Sequence, residues 1–195
     1  MKKLLKNITT VVLLSLGSLV LAQIQSKDDL KNKDDKSLIV ESDKTAEQEA
    51  RKKAAIDEKA KLPKPYDAKA DAENDIEKLI ARAKKENKHI MIQAGGNWCI
   101  WCLRFDQYVQ TTPELKKLVN ENYLYYHLNY SPDNKNEKVF AKYNNPGDQF
   151  GYPVFIILNK NGKMIHVQQS DVLEEGKGYS FDKVKDFFNT WITKS

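Results

Sequence analysis

The stretch Gln93-Ala94-Gly95-Gly96-Asn97-Trp98-Cys99-Ile100-Trp101-Cys102 holds both cysteines of the 195-residue chain, spaced Cys-x-x-Cys. It follows an apolar run, His89-Ile90-Met91-Ile92, and precedes a helix-like run from Leu103 to Gln110. The pair therefore sits where a strand ends and a helix begins. The first turn of a helix has free N–H groups and the positive end of the helix dipole, so it favours an anion. A Cys there has a lowered pKa, and its thiolate is the reactive form. The second thiol, one turn further on, can attack the first sulfur, so a disulfide between them can open and close. Other readings of the pair are a structural disulfide, two ligands of a zinc site, and haem attachment. So short a loop restrains an unfolded chain little. Zinc would need two of His89, His127 and His166 to converge on the pair. Haem attachment needs a His directly after the second Cys, and position 103 is Leu. The redox dithiol is the preferred reading, with no metal and no cofactor.

The chain begins with a targeting pattern over residues 1–22. Lys2, Lys3 and Lys6 precede an almost unbroken apolar run, Ile8 to Leu21, and Val20-Leu21-Ala22 offers a cut before Gln23. The run is short for a membrane span. Export to the periplasm is expected; an uncleaved signal anchor is the alternative. Cleavage removes three lysines and no acidic residue, lowering the formal net charge from +5 to +2. That charge gives no argument for a nucleic-acid partner. Outside the cytoplasm disulfides form and persist, yet no cysteine remains for a framework. The pair reads as acting on the disulfides of other proteins.

Residues 23–66 read as a polar extension and linker. Gln23 to Lys36 is expected to lack structure, and Leu38-Ile39-Val40 reads as a short edge strand or as nothing. Ala46 to Lys61 has helix-forming composition, and Leu62-Pro63-Lys64-Pro65-Tyr66 reads as a linker. The folded domain is expected over residues 67–195. Ile76, Leu79, Ile80 and Ala83 make one apolar helix stripe, ended by Asn87-Lys88. His89 to Ala94 is a buried strand. Thr112 reads as an N-cap before Pro113, and Tyr123 to Asn129 as a second strand. A short helix is expected around Glu137 to Tyr143, and a loop over Asn144-Asn145-Pro146-Gly147. Val154 to Leu158 is the clearest strand, with Asn161-Gly162 turning it into Lys163 to Val167. Asp171 to Tyr179 reads as a loop, and Ser180 as the cap of a last helix carrying Val184, Phe187, Phe188 and Trp191. The order predicts an α/β fold, a mixed sheet with helices on both faces.

That order resembles the thioredoxin family from about Asp71 to Thr193. Trp98-Cys99-x-x-Cys102 follows the first strand, and Gly151-Tyr152-Pro153-Val154 precedes the hairpin. The wording looks closest to exported members, including the C-terminal domain of membrane thiol:disulfide interchange reductases. The resemblance implies a thioredoxin-like fold and catalytic Cys99 and Cys102. It also implies a cis Tyr152–Pro153 bond facing the dithiol and a substrate paired along Tyr152, with Trp98 covering the site. Partners implied are protein or peptide disulfides and, for a reductase, a membrane electron donor. Two positions depart from the family. A buried Asp is usual six residues before the first Cys, where this chain has Gln93. A Lys is frequent on the opposite strand, where it has His127. His127 or water could then move the Cys102 proton, or His127 could be a plain strand residue. Gly95 and Gly96 are expected to let the backbone turn tightly. Ile100 and Trp101 add no cation, which predicts a reducing to intermediate potential of roughly −200 to −270 mV. A non-catalytic binding module, and an oxidase or isomerase of the same fold, stand as alternatives.

Overall fold

The computed structural model describes residues 28–192, so the targeting segment at residues 1–22 lies outside them. The described residues fall into two compact units that divide after Lys52. A long helix, α1 (Asp28–Lys61), takes in residues 28–36 and Leu38-Ile39-Val40. From residue 28 on, the expected unstructured stretch and the strand alternative are thus corrected to helix, and residues 23–27 lie outside the described residues. The cause is local: straight-chain Lys and Glu with Ala are good helix formers. Neighbouring turns carry opposite charges, as in Arg51–Glu47 at 2.6 Å and Lys53–Asp57 at 2.9 Å.

Helix α2 (Ala72–Glu86) starts at Asp71, whose carboxylate accepts from the Asn74 N–H, and stops at Asn87 in the left-handed conformation, φ 51°. Strand β1 (His89–Gly95) follows, then α3 (Ile100–Thr111), α4 (Pro113–Asn122) and β2 (Tyr123–Asn129). Thr112 holds the cap position before Pro113, but its hydroxyl makes no capping bond. Next come α5 (Glu137–Lys142) and α6 (Pro146–Phe150), the latter beginning inside the loop expected over residues 144–147. Asn144 and Asn145 take positive φ of 64° and 46°, and Pro146 occupies the first helical position, where its missing N–H costs nothing. Strands β3 (Val154–Leu158) and β4 (Met164–Gln169) form the hairpin. Asn161-Gly162 lies in its turn as expected, and Gly162 supplies the positive φ there, 81°. The Asn159 side chain closes it by accepting from the N–H groups of Asn161 and Lys163. The expected loop after it contains a 3-10 turn (Asp171–Leu173) and a two-residue pair, β5 (Glu174–Glu175) with β6 (Gly178–Tyr179). Helix α7 (Phe181–Thr190) completes the described chain.

The sheet runs β2-β1-β3-β4, with β1 and β2 parallel and the other neighbours antiparallel. Alternation along β1 sorts the core into two layers. Ile90, Ile92 and Ala94 face α2 and α5. Met91 lies with Phe105, Phe155 and Phe188 on the side of α3, α4 and α7. Each of these buried rings contributes about 1.5–3 kcal/mol. Gln93 shares the Met91 face, so β1 points one buried amide at the start of α3.

Candidate functional site

Cys99 and Cys102 are joined as a disulfide, with their Cα atoms 5.3 Å apart. Cys99 is the N-cap of α3, and its sulfur accepts the Cys102 N–H at 3.2 Å. That bond is what a thiolate at this place would use, since the first N–H groups of a helix lack backbone partners. Cys99 is 7% exposed and Cys102 fully buried, so Cys99 is the more accessible sulfur.

In front of Cys99 lie rings and one carbonyl. The Tyr152–Pro153 bond is cis, and the Tyr152 carbonyl oxygen is 3.6 Å from the Cys99 sulfur. A disulfide sulfur has no proton to donate, so this is a contact now and a hydrogen bond for the reduced thiol. Trp98 is 47% exposed, its indole N–H donates to Tyr130 O at 2.6 Å, and its ring meets Tyr152 edge-on at 5.7 Å. Tyr130 stacks on Tyr152 at 5.2 Å. Burial pushes the Tyr152 phenol up to about 12. Gly147 makes room for this ring, since a Cβ there would fall 2.3 Å from it. Gly96 does the same for Trp98: a Cβ would fall 2.4 Å from the indole nitrogen and 2.8 Å from Tyr130 O. The expected reason for Gly95 and Gly96 is therefore corrected. Neither has positive φ; both are needed because other atoms approach too closely.

Behind Cys102 the chain places polar groups. Gln93 donates through its amide nitrogen to the Tyr66 hydroxyl at 2.7 Å and to Cys102 O at 2.9 Å, and its oxygen accepts from the Tyr125 hydroxyl. Both of its donors and its acceptor are thus used. Burial holds the Tyr66 and Tyr125 phenols well above their ordinary value. His127 is the register partner of Gln93, but its ring bonds Asp106 at 3.0 Å rather than a cysteine. Asp106 is 7% exposed and one turn beyond Cys102 on α3.

The segment before the domain also reaches the site. Asn97 clamps the Tyr66 backbone, donating to its carbonyl at 2.8 Å and accepting its N–H at 3.2 Å. Glu58 grips Arg104 with two bonds of 2.7 and 2.6 Å, and that bonding holds the Glu58 carboxyl below its usual range. Lys59 reaches Trp98 O at 3.4 Å.

Trp98, Cys99, Cys102, Tyr152 and Pro153 thus come together, with Gln93 directly behind them. Sequence reasoning passed over Tyr66, Asn97, Asp106, Tyr130 and the Glu58–Arg104 pair. Asp106 carried a signal, because four residues from Cys102 is the same helix face. Tyr66 carried none within a Pro-rich segment. Among the described residues no three His, Cys, Asp or Glu side chains gather as metal ligands. His89 bonds Trp191 O at 2.8 Å, and His166 stacks on the Trp191 ring at 4.2 Å.

A family model described as thioredoxin-like matches residues 71–160. No curated protein matches the sequence. Among solved structures, a disulphide isomerase from Xylella fastidiosa Temecula1 is similar at 25% identity and a TM-score of 0.58, over 66% of this chain and 97% of that one. The C-terminal domain of DsbD from Neisseria meningitidis, in its oxidised form, has 18% identity and a TM-score of 0.43, over 63% of this chain and 94% of that one. A redox protein from Chlamydomonas reinhardtii has 19% identity and a TM-score of 0.43, over 63% of this chain and 34% of that one. By its architecture, and by the family model over residues 71–160, this chain carries a thioredoxin-like fold with a Cys-x-x-Cys pair at the start of α3.

Proposed function

We propose that the chain is an exported oxidoreductase that reduces protein disulfides. The observation that carries this reading is the asymmetry of the pair: one sulfur caps a helix beside a carbonyl edge, the other is sealed beneath it. In the reduced protein the Cys99 thiolate attacks a substrate disulfide. One S–S bond forms to Cys99 and the substrate's own S–S bond breaks, its electron pair leaving on the freed sulfur. Cys102 then loses its proton, attacks Cys99 and expels the second substrate sulfur. Two electrons have passed to the substrate, and the two departing sulfurs take up protons. A dithiol donor, supplied in the cell by a membrane protein, must restore the reduced pair. An extended substrate segment pairs with the Tyr152 backbone while Trp98 covers it. For the Cys102 proton we assign the pair of Asp106, one turn further along α3, and His127 on β2. Gln93 cannot titrate and serves to hold the start of α3.

The direction is supported by what surrounds the thiolate. An oxidising site needs a strongly stabilised thiolate. Ile100 and Trp101 bring no charge, and the Arg104 guanidinium is occupied by Glu58. Export rests on Lys2, Lys3, Lys6 and the Ile8 to Leu21 run. Among the described residues no helix is long and apolar enough to cross a membrane.

The test is insulin reduction together with the equilibrium potential of the pair. Turnover and a potential of roughly −200 to −270 mV support the reductase; a value above about −150 mV makes it an oxidase. Cys102→Ser should accumulate a mixed disulfide at Cys99, and His127→Ala should change the pH dependence of its resolution in Cys102-containing protein. No reversible couple and no turnover would leave a binding module. A second reading, isomerisation, is favoured by the likeness to the Xylella protein, and reactivation of scrambled ribonuclease without added reductant would select it.

A further inference from the structure

We propose that Tyr66 is a positioning residue for the resolving thiol, its hydroxyl donating a hydrogen bond to the Cys102 sulfur as that sulfur becomes a thiolate. The inference rests on the oxidoreductase reading above and adds to it a residue from outside the family-matched segment, which begins at residue 71.

Four observations carry it. Tyr66 is 3% exposed and shares one buried cluster with Cys99, Cys102 and Leu103. Its hydroxyl oxygen and the Cys102 sulfur flank a single point, the place of an absent Cβ on Gly95, at 3.0 and 2.5 Å from it. No side chain at 95 separates them. The hydroxyl accepts from the Gln93 amide, so its own hydrogen is turned away from Gln93, and no described residue accepts it. Finally, the two bonds between Asn97 and the Tyr66 backbone tie the hydroxyl to the loop that carries Cys99. The Tyr66 phenol keeps its proton at neutral pH because burial raises its pKa, as a donor to an anion must.

The step it serves balances without a further reagent. The Cys102 S–H proton departs, the sulfur's electron pair forms the bond to Cys99, and the Cys99–substrate bond breaks onto the substrate sulfur, which is protonated. Tyr66 keeps its own proton throughout. It lowers the energy of the thiolate by one charge-assisted hydrogen bond, an interaction roughly twice as strong as a neutral one. Other charged or titratable groups in these surroundings are Asp106 and Arg104 on α3, Tyr125 and His127 on β2, Tyr179 on β6, and Glu58 and Lys59 on α1. The test therefore compares variants that leave all of these in place.

The full chain is used. In a Cys99→Ser background, thiolate absorbance against pH reads the Cys102 titration. Tyr66→Phe should raise its midpoint by about one unit, and should slow resolution of a preformed Cys99 mixed disulfide about tenfold in otherwise unaltered protein. The first attack by Cys99 on a disulfide substrate should be unchanged. Fluorotyrosine placed at position 66 is nearly isosteric and a stronger donor, and should move the midpoint the other way. That variant carries the test if Tyr66→Phe does not fold. An unmoved midpoint with unchanged resolution overturns the proposal, as does a fluorotyrosine shift in the same direction as the phenylalanine one. If the Cys102→Ser protein forms no mixed disulfide at Cys99, the oxidoreductase reading fails instead, and the role of Tyr66 in it falls with it.

Discussion

Cys99 and Cys102 are three residues apart, yet the chain builds unlike surroundings for them. The Cys99 side is a floor of rings, Trp98, Tyr130 and Tyr152, ending at one free-standing carbonyl. The Cys102 side is a set of hydrogen bonds among Gln93, Tyr66 and Tyr125, with the Asp106–His127 pair beside it. Rings and a backbone acceptor make no demand on a partner's side-chain sequence, which suits an exchanging partner. Fixed donors and acceptors suit the resolving sulfur of the proposed mechanism, which gains and loses a single proton. The difference also predicts where substitutions hurt most. A buried polar group stripped of its partner costs about 1–3 kcal/mol, whereas a displaced half-exposed ring loses part of its packing only.

The largest effect should come from the back. Gln93→Leu keeps the volume of the side chain but leaves the Tyr66 and Tyr125 hydroxyls and Cys102 O without their partner. We expect a loss of about 3 kcal/mol and a Tm lower by about 10 °C, read by thermal unfolding of the oxidised protein. A near-neutral result would mean that these bonds do not hold the back of the site and that the contrast between the two sides is overdrawn. A middle effect is expected at the front. An alanine at 96 must push the Trp98 indole off Tyr130 O, because one of the atoms it strikes is backbone. Gly96→Ala should cost about 1–3 kcal/mol. It should raise KM for protein disulfides several-fold while the resolution of a preformed mixed disulfide keeps its rate. Equal losses in capture and resolution would show that the two sides act as one unit.

What could be read beforehand divides along the same line. The front follows from local pattern: an apolar run into Cys-x-x-Cys, and Gly151-Tyr152-Pro153 before a five-residue apolar strand. Those signals lie within single elements, and β2 and β3 start and stop where their apolar runs do. The back is assembled from four separate places: Tyr66 before the domain, Gln93 on β1, Asp106 on α3, and Tyr125 with His127 on β2. No periodicity links them. Gln93 drew notice only as the absence of a carboxylate, and Asp106 looked like any polar position on an amphipathic helix. The glycines show the same limit in miniature. Their presence beside the cysteines was plain, but whether a glycine serves φ or space depends on Cys102, Trp98 and Tyr130, and so on the folded neighbours.

The smallest expected effect concerns how the extension is held near both sides. Glu58 is partly exposed, so its pair with Arg104 should contribute no more than about 0.5–1 kcal/mol after screening by solvent. Its carboxyl is lowered in the folded protein, chiefly by the Arg104 hydrogen bonds. A group whose pKa is depressed on folding adds stability above its unfolded pKa and loses it as the pH falls through the folded one. Docking of residues 58–66 should therefore hold at neutral pH and loosen only below the ordinary carboxylate range. Limited proteolysis between Leu62 and Tyr66, followed as the pH is lowered, should show a rise in cleavage in wild type. Glu58→Gln should show slightly higher cleavage at neutral pH and no such step. Because Tyr66 is also held by Asn97, loosening at Glu58 should leave the Cys102 titration in place. If Glu58→Gln shifts that titration as Tyr66→Phe does, the extension clamps the back of the site through its charge rather than through the tyrosine.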